Sequence, residues 1–358
     1  MPAPTTPTRR RPGGSGGIVT GKVNHPGVAR RAGSLGRVQP WVSAWREALY
    51  GAQGFYRRPT GPAGHFATSC HGPAGAVLAE ALVGWALRDG YAGIVDLGAG
   101  RGELLGHLAA AVTQAGCAVQ LIGVDIVSRP AGLAEQVEWV QSPGGAALPD
   151  LGALTKTLVF ANEWLDVIPV PIGQVDDRGV LREVEVNSFG EERLGERAGA
   201  SATFGPSEVA WARRWYADLL ERPGARVEVG LARDRALADL IGRVGSGVVV
   251  AVDYGHLVGW RPFDGTLTGY RDGRQVPPLA DGSCDLTSHV AVDALPHHRL
   301  VTQREALREL GVGGERASYD LARREPAAYL AALQRNSAAA ELLNAPLGDF
   351  WWAITQVR

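Results

Sequence analysis

The sequence predicts an α/β protein built on a doubly wound sheet. Three observations carry this. Residues 91–108 read YAGIVDLGAGRGELLGHL: a short apolar run at Ile94 and Val95 ends in Asp96, glycines follow at 98, 100 and 102, and a helical pattern opens at Glu103. A strand, a glycine turn and a helix in that order let backbone approach a ligand closely. Residues 119–126, VQLIGVDI, form a second apolar run ending in Asp125, 23 positions after Gly102. Beyond these, strand-like and helix-like stretches alternate with short connections.

The elements follow in order. Residues 41–50 suit a helix with Trp41, Trp45 and Leu49 on one face. A Gly/Pro loop spans 51–75, and an Ala/Leu-rich helix spans 74–88. Strand one is placed at 93–97, a helix at 103–115, strand two at 119–126 and short strands at 137–141 and 157–161. The last of these leads into Asn162-Glu163-Trp164-Leu165-Asp166. Residues 170–190 alternate around an Asp176-Asp177-Arg178-Gly179 turn and predict a hairpin. A helix at 231–244 precedes GVVVAV at 247–252, a fully buried strand ending at Asp253-Tyr254. Residues 256–290 are expected to be a long loop on the substrate side. A strand at 299–303, helices at 304–310 and 326–343, and a strand at 350–356 complete the chain. The expected organisation is a disordered basic tail (1–40), an N-terminal helical cap (41–90), the first half of the sheet (91–170), an inserted hairpin and helical lobe (171–225) and the second half (226–358).

Composition narrows the function. The 358 residues carry a net charge of −1, which gives no basic field for nucleic acid. Three scattered cysteines, Cys70, Cys117 and Cys284, argue against a zinc or disulfide framework, so no metal is expected. No apolar run reaches transmembrane length, and no membrane partner is expected. The first 40 residues contain seven basic side chains, Arg9 to Arg11, Lys22, Arg30, Arg31 and Arg37, and no acid. A tail of this kind is a solvated arm or a transit peptide. Frequent arginine with scarce lysine suits GC-rich bacterial coding. The expected location is cytoplasmic, or the mitochondrial matrix if the tail is a transit signal.

The glycine spacing selects among nucleoside cofactors. A dinucleotide fingerprint, G-x-G-x-x-G, requires glycine at 103, where Glu103 stands. The observed D-x-G-x-G-x-G resembles the loop of class I S-adenosylmethionine (SAM) methyltransferases, which meets methionine and ribose rather than a pyrophosphate. With no pyrophosphate at the helix N-terminus, an acid there is tolerated. Asp125 either accepts ribose hydroxyls, as in NAD and SAM sites alike, or caps a strand end. An NAD(P)-dependent oxidoreductase is the lesser alternative.

Further along, the chain carries Tyr50, Phe55-Tyr56, Phe66-Ala67-Thr68-Ser69, Asn162-Glu163-Trp164-Leu165-Asp166-Val167-Ile168-Pro169, Asp253-Tyr254-Gly255 and Asp285-Leu286-Thr287-Ser288-His289-Val290. With the glycine loop, this ordered set resembles the MidA-like methyltransferases, related to the mitochondrial complex I assembly-factor protein arginine methyltransferase. The resemblance spans roughly residues 46–310. It implies a Rossmann-like methyltransferase sheet, SAM as cofactor and a protein arginine as acceptor. The chain departs from the family pattern at His65, Cys70 and Thr268, around the substrate side. A non-catalytic assembly factor that keeps the fold is therefore the rival reading.

The candidate residues divide by role. Asp96, Gly98, Gly100, Gly102, Asp125 and Asn162 are expected at the cofactor. Thr68 and Ser69 either pack over it or cap the helix that follows. Glu163 and Asp166 lie just past a strand at the carboxyl edge of the sheet, where open α/β sheets bind ligands. Two carboxylates three residues apart suit a guanidinium, which is planar and always charged; the alternative is helix N-terminal acids. Asp253 and Tyr254 are expected to line the cleft. Asp285 and His289 form either an acid–base pair or a polar contact that folds the loop.

Overall fold

A computed structural model describes residues 38–58, 69–313 and 319–358. The expectations for residues 1–37 of the tail and for His65 and Thr68 fall outside the described residues, while Gln39 and Pro40, placed in the tail, form a short strand.

Seven strands form the central sheet: β1 (Gly93–Leu97), β2 (Gln120–Asp125), β3 (Val137–Gln141), β4 (Thr157–Asn162), β5 (Gly247–Asp253), β6 (Arg299–Thr302) and β7 (Trp351–Val357). Their order is β6-β7-β5-β4-β1-β2-β3. The run from β3 to β5 is parallel, and β7 enters antiparallel between β5 and β6. Every residue of β1, β4 and β5 is buried. That is the pattern of parallel strands covered on both faces. Alternation decides which face each residue joins: Val248, Val250 and Val252 enter one core, Val249 and Ala251 the other.

Helices α2 (Gly72–Asp89), α3 (Glu103–Ala115), α6 (Gln303–Glu309) and α7 (Pro326–Leu343) contribute to the first core. Helix α5 (Leu231–Arg243) covers the second. The expected ends of these elements are met within about two residues.

The hairpin of 170–190 is present as strands Ile172–Val175 and Leu181–Val186. Asp176 closes its turn by accepting the N–H groups of Arg178 and Val180. Gln39–Pro40, Glu192–Arg197 and Arg226–Glu228 extend this sheet, and α1 (Trp41–Tyr50) packs on it through Trp41, Trp45 and Leu49. Helix α4 (Pro206–Trp215) lies in the segment expected as a lobe.

The expected loop at 256–290 needs correction. It contains a three-stranded antiparallel sheet of Thr268–Arg271, Arg274–Val276 and Asp285–Thr287. Asp272 and Gly273 join the first two strands with φ of 52° and 72°. Asp-Gly with both φ positive is a tight hairpin turn, and these strands are too short and polar to show alternation. Among the described residues no helix is long and apolar enough to cross a membrane.

Candidate active site

The glycine loop sits where β1 ends. Gly98, Gly100 and Gly102 have φ of 78°, 58° and 82°, a region that side chains disfavour. Gly98 and Ala99 donate to the Val124 carbonyl on β2, at 2.9 and 3.1 Å. Gly100 N–H donates to Asp125 Oδ2 at 2.9 Å, and Val127 N–H to Oδ1 at 3.1 Å. The acid at the tip of β2 thus fixes the loop itself. Each of its oxygens keeps a lone pair for another donor. A Cβ at Gly100 would lie 3.1 Å from Glu103 Oε2 and meet nothing else within 4 Å. The loop therefore leaves bare backbone facing a cavity of about 610 Å³. That size lies in the range of ligand sites.

Set in a mainly apolar cavity wall are the acids Asp96, Asp125, Glu163, Asp166 and Asp285. Burial, then the nearby Asp125 and Glu103, pushes Asp96 up to about 8. Burial raises Asp125 to about 6, against the N–H groups of Val127 and Gly100. Burial, then Asp166, raises Glu163 to about 8. Burial lifts Asp285 well above the carboxylate range. Buried carboxyls crowded on one cavity wall favour a cationic ligand, which would restore their charge. A bare glycine backbone, a strand-tip acid and these wall carboxyls fit a sulfonium-bearing nucleoside.

The segment after β4 is tightly braced. Asn162 Nδ2 donates to Glu163 Oε1 at 2.8 Å, and Ser69 Oγ donates to Asn162 Oδ1 at 3.0 Å. Glu163 stands at φ 51°, a strained position for a non-glycine residue. Asp253 Oδ2 accepts the N–H groups of Leu165 and Asp166 at 3.0 and 3.1 Å, and its Oδ1 accepts that of Tyr254. Asp166 Oδ2 accepts Thr287 Oγ1 at 2.5 Å and the Tyr254 hydroxyl. Asp166 Oδ1 is buried and has no hydrogen-bond partner among the described residues.

Several expectations are corrected by these contacts. Asp253 does not line the cleft, because its carboxylate is engaged by three backbone N–H groups; Tyr254 does. Ser69 caps no helix: it is fully buried and holds Asn162, while His71 precedes α2. Asp285 and His289 both line the cavity but do not pair. Asp285 accepts the Tyr56 hydroxyl at 2.8 Å, and the His289 ring stands edge-on to Tyr254 at 5.1 Å.

Arg233 escapes sequence reasoning. It is 1 % exposed, and all five of its donors are engaged. They reach the carbonyls of Ile168, Asp166, Ser288 and His289 and the Ser288 hydroxyl. The signal was present: residues 233, 236, 237 and 240 form the buried stripe of α5, with an arginine at its first position.

Residues 77–292 match the family described as "Putative S-adenosyl-L-methionine-dependent methyltransferase". The chain belongs to this methyltransferase family. SAM is its cofactor, and the oxidoreductase alternative falls. No curated protein matches the chain. A Burkholderia thailandensis protein crystallised with S-adenosyl-homocysteine is similar in fold, with TM-score 0.67 and 22% identity over 89% of this chain and 88% of that one. A native structure of an uncharacterised protein of the same superfamily and organism gives TM-score 0.64 and 22% identity over 89% and 87%. The α/β fold with a mostly parallel central sheet expected from the sequence is the one observed.

Proposed function

We propose that this methyltransferase modifies an arginine side chain of a protein. The carrying observation is the pair Glu163 and Asp166 at the end of β4, on the wall of the cavity that the glycine loop enters, with Asp166 Oδ1 buried and unpartnered among the described residues. A bare buried carboxylate oxygen is costly unless a donor meets it. A guanidinium supplies planar, permanently charged donors. The resemblance to MidA-like enzymes supports the same acceptor. The departure at Cys70 lies on the same cavity wall.

For the cofactor, Asp96, Gly98, Gly100, Gly102, Asp125 and Asn162 are the holding residues. Asp125 receives the ribose hydroxyls while it continues to fix Gly100. Ile126, Val127 and the Gly144-Gly145 turn offer the apolar side of the cavity to the base. When bound, SAM supplies an electrophilic methyl group. The chain's own task is to align the acceptor nitrogen with it and exclude water, worth on the order of 7–11 kcal/mol in favourable cases. Glu163 and Asp166 would grip the guanidinium, and Tyr254 and Tyr56 would flank it.

The test is transfer of labelled methyl from SAM to proteins of a cell lysate, followed by hydrolysis and separation of methylated amino acids. Wild type should yield methylarginine. Glu163→Gln should lower it by about 10–100-fold, the loss of one charged hydrogen bond, and Asp166→Asn by about 100-fold or more. Labelling equal in every sample, including one without enzyme, would refute the proposal and favour the assembly-factor reading.

A further inference from the structure

Asp166, Tyr254 and Thr287 form a closed ring of oxygens. Thr287 Oγ1 and the Tyr254 hydroxyl both reach Asp166 Oδ2, and the two hydroxyls also touch each other. The three residues come from three segments: the turn after β4, the end of β5 and the Asp285–Thr287 strand. An ionised Asp166 leaves two hydroxyl protons in the ring, and both can point at Oδ2. That oxygen is saturated. Its twin, Oδ1, has no hydrogen-bond partner among the described residues, although Asp166 is only 3 % exposed and lies on the cavity wall. One carboxylate thus has one oxygen tied down and one presented.

We infer that Asp166 Oδ1 accepts the proton released by methyl transfer, and that Tyr254 and Thr287 are positioning residues that aim it. The inference rests on the arginine reading above. A guanidino nitrogen lone pair forms the new N–C bond. The methyl–sulfur bond breaks, and its electron pair stays on sulfur, which becomes a neutral thioether. The proton shed by the methylated nitrogen passes to Asp166 Oδ1. The free oxygen is the only one of the pair able to take it without breaking the ring. Glu163, whose Oε1 accepts Asn162 Nδ2, holds the substrate and leaves the proton to Asp166.

The surroundings set the balance. Burial raises Asp166 above its ordinary value, while Thr287, Tyr254, Arg233 and the Val167 backbone N–H draw it back down. The acids facing it are Glu163, Asp253 and Asp285; the phenols are Tyr50, Tyr56, Tyr254 and Tyr270; His289 is the imidazole. Removing a hydroxyl that donates to the charged form must raise the titration midpoint of Asp166.

Two readouts test this. Carbonyl-region NMR of protein labelled with ¹³C-aspartate, with the Asp166 signal assigned by its loss in Asp166→Asn, gives the midpoint without substrate. Thr287→Val should raise it by about one pH unit or more, and Thr287→Ser, which keeps the hydroxyl, should restore it. The acid limb of the pH–rate profile for lysate labelling should move upward by the same amount in Thr287→Val and in Tyr254→Phe. Asp166→Asn should lose on the order of 10²–10⁴-fold at every pH. A midpoint that stays put in Thr287→Val overturns the positioning role. A midpoint that moves while the rate profile keeps its shape overturns proton acceptance. Absence of methylarginine from wild type at any pH is a separate failure, that of the arginine reading, and leaves the NMR result to stand on its own.

Discussion

Replacing Arg233 by methionine should cost this enzyme about 3–5 kcal/mol of stability, the usual loss when one member of a buried charged arrangement is removed. The structure shows where the loss arises. Arg233 Nε reaches Ile168 O at 3.2 Å; Nη1 reaches Ser288 O at 3.3 Å and His289 O at 3.0 Å; Nη2 reaches Asp166 O at 2.8 Å and Ser288 Oγ at 2.9 Å. Methionine fills similar space and donates nothing. The Asp166 carbonyl would keep the Ser288 N–H at 3.2 Å, but the carbonyls of Ile168, Ser288 and His289 would lose the partner that joins them. Each stranded acceptor costs about 1–3 kcal/mol, so three of them together reach at least the lower end of that range. Against a total of about 5–15 kcal/mol, this is a large share. Arg233→Lys should fall between the two, because an ammonium has three donors and no fixed fork. Urea unfolding followed by tryptophan fluorescence measures the effect, and methyl transfer should fall with it. A loss below about 1 kcal/mol in Arg233→Met would refute the view that this side chain organises the two segments.

Other consequences follow from the loop and the acids. Gly100→Val places a branched side chain at φ 58° and into the cavity, 3.1 Å from Glu103 at its first carbon. It should cost about 1–2 kcal/mol in stability and remove S-adenosyl-homocysteine binding from calorimetric detection; unchanged affinity would dismiss the loop as the cofactor site. Burial holds Asp96 and Glu163 at about 8 and Asp125 at about 6. The folded state then binds more protons than the unfolded one from about pH 4 up to these values, so stability should fall as pH rises through that window. Asp96→Asn should flatten the fall. A cation restores the carboxylate charges, so SAM should bind with proton release between about pH 6 and 8, more than its neutral-sulfur product does. Calorimetry in buffers of different ionisation heat reads this, and equal release for the two ligands would contradict it.

Much of the fold is legible because the central strands carry their own burial. GIVDL, TLVFAN and GVVVAVD are apolar on both faces, and only a sheet covered on both sides accepts such runs. The glycine loop is equally local: its conformation needs glycine at three positions whatever surrounds it. The sheet within 256–290 is different. Its strands of three and four residues earn their place through pairing with each other, and only the Asp272-Gly273 turn betrays them.

The site divides along the same line. Gly98, Gly100 and Asp125 are legible because one turn and the adjacent strand tip define them. The acids 163 and 166 are legible as a pair, but not what each does, since that depends on residues far away in sequence. Thr287 reaches Asp166 across 121 positions, and Arg233 reaches it across 67. Sequence spacing ranks Asp253 with the cleft acids because all of them follow a strand; the structure turns its carboxylate onto three N–H groups instead. The distinction is one of lone pairs. A carboxylate whose oxygens are filled by backbone holds the chain in place, while one with a buried oxygen free on a cavity wall can take a donor from a ligand or from water. Asp166 combines both conditions in one side chain, and that is why the chemistry is assigned there rather than to its neighbours.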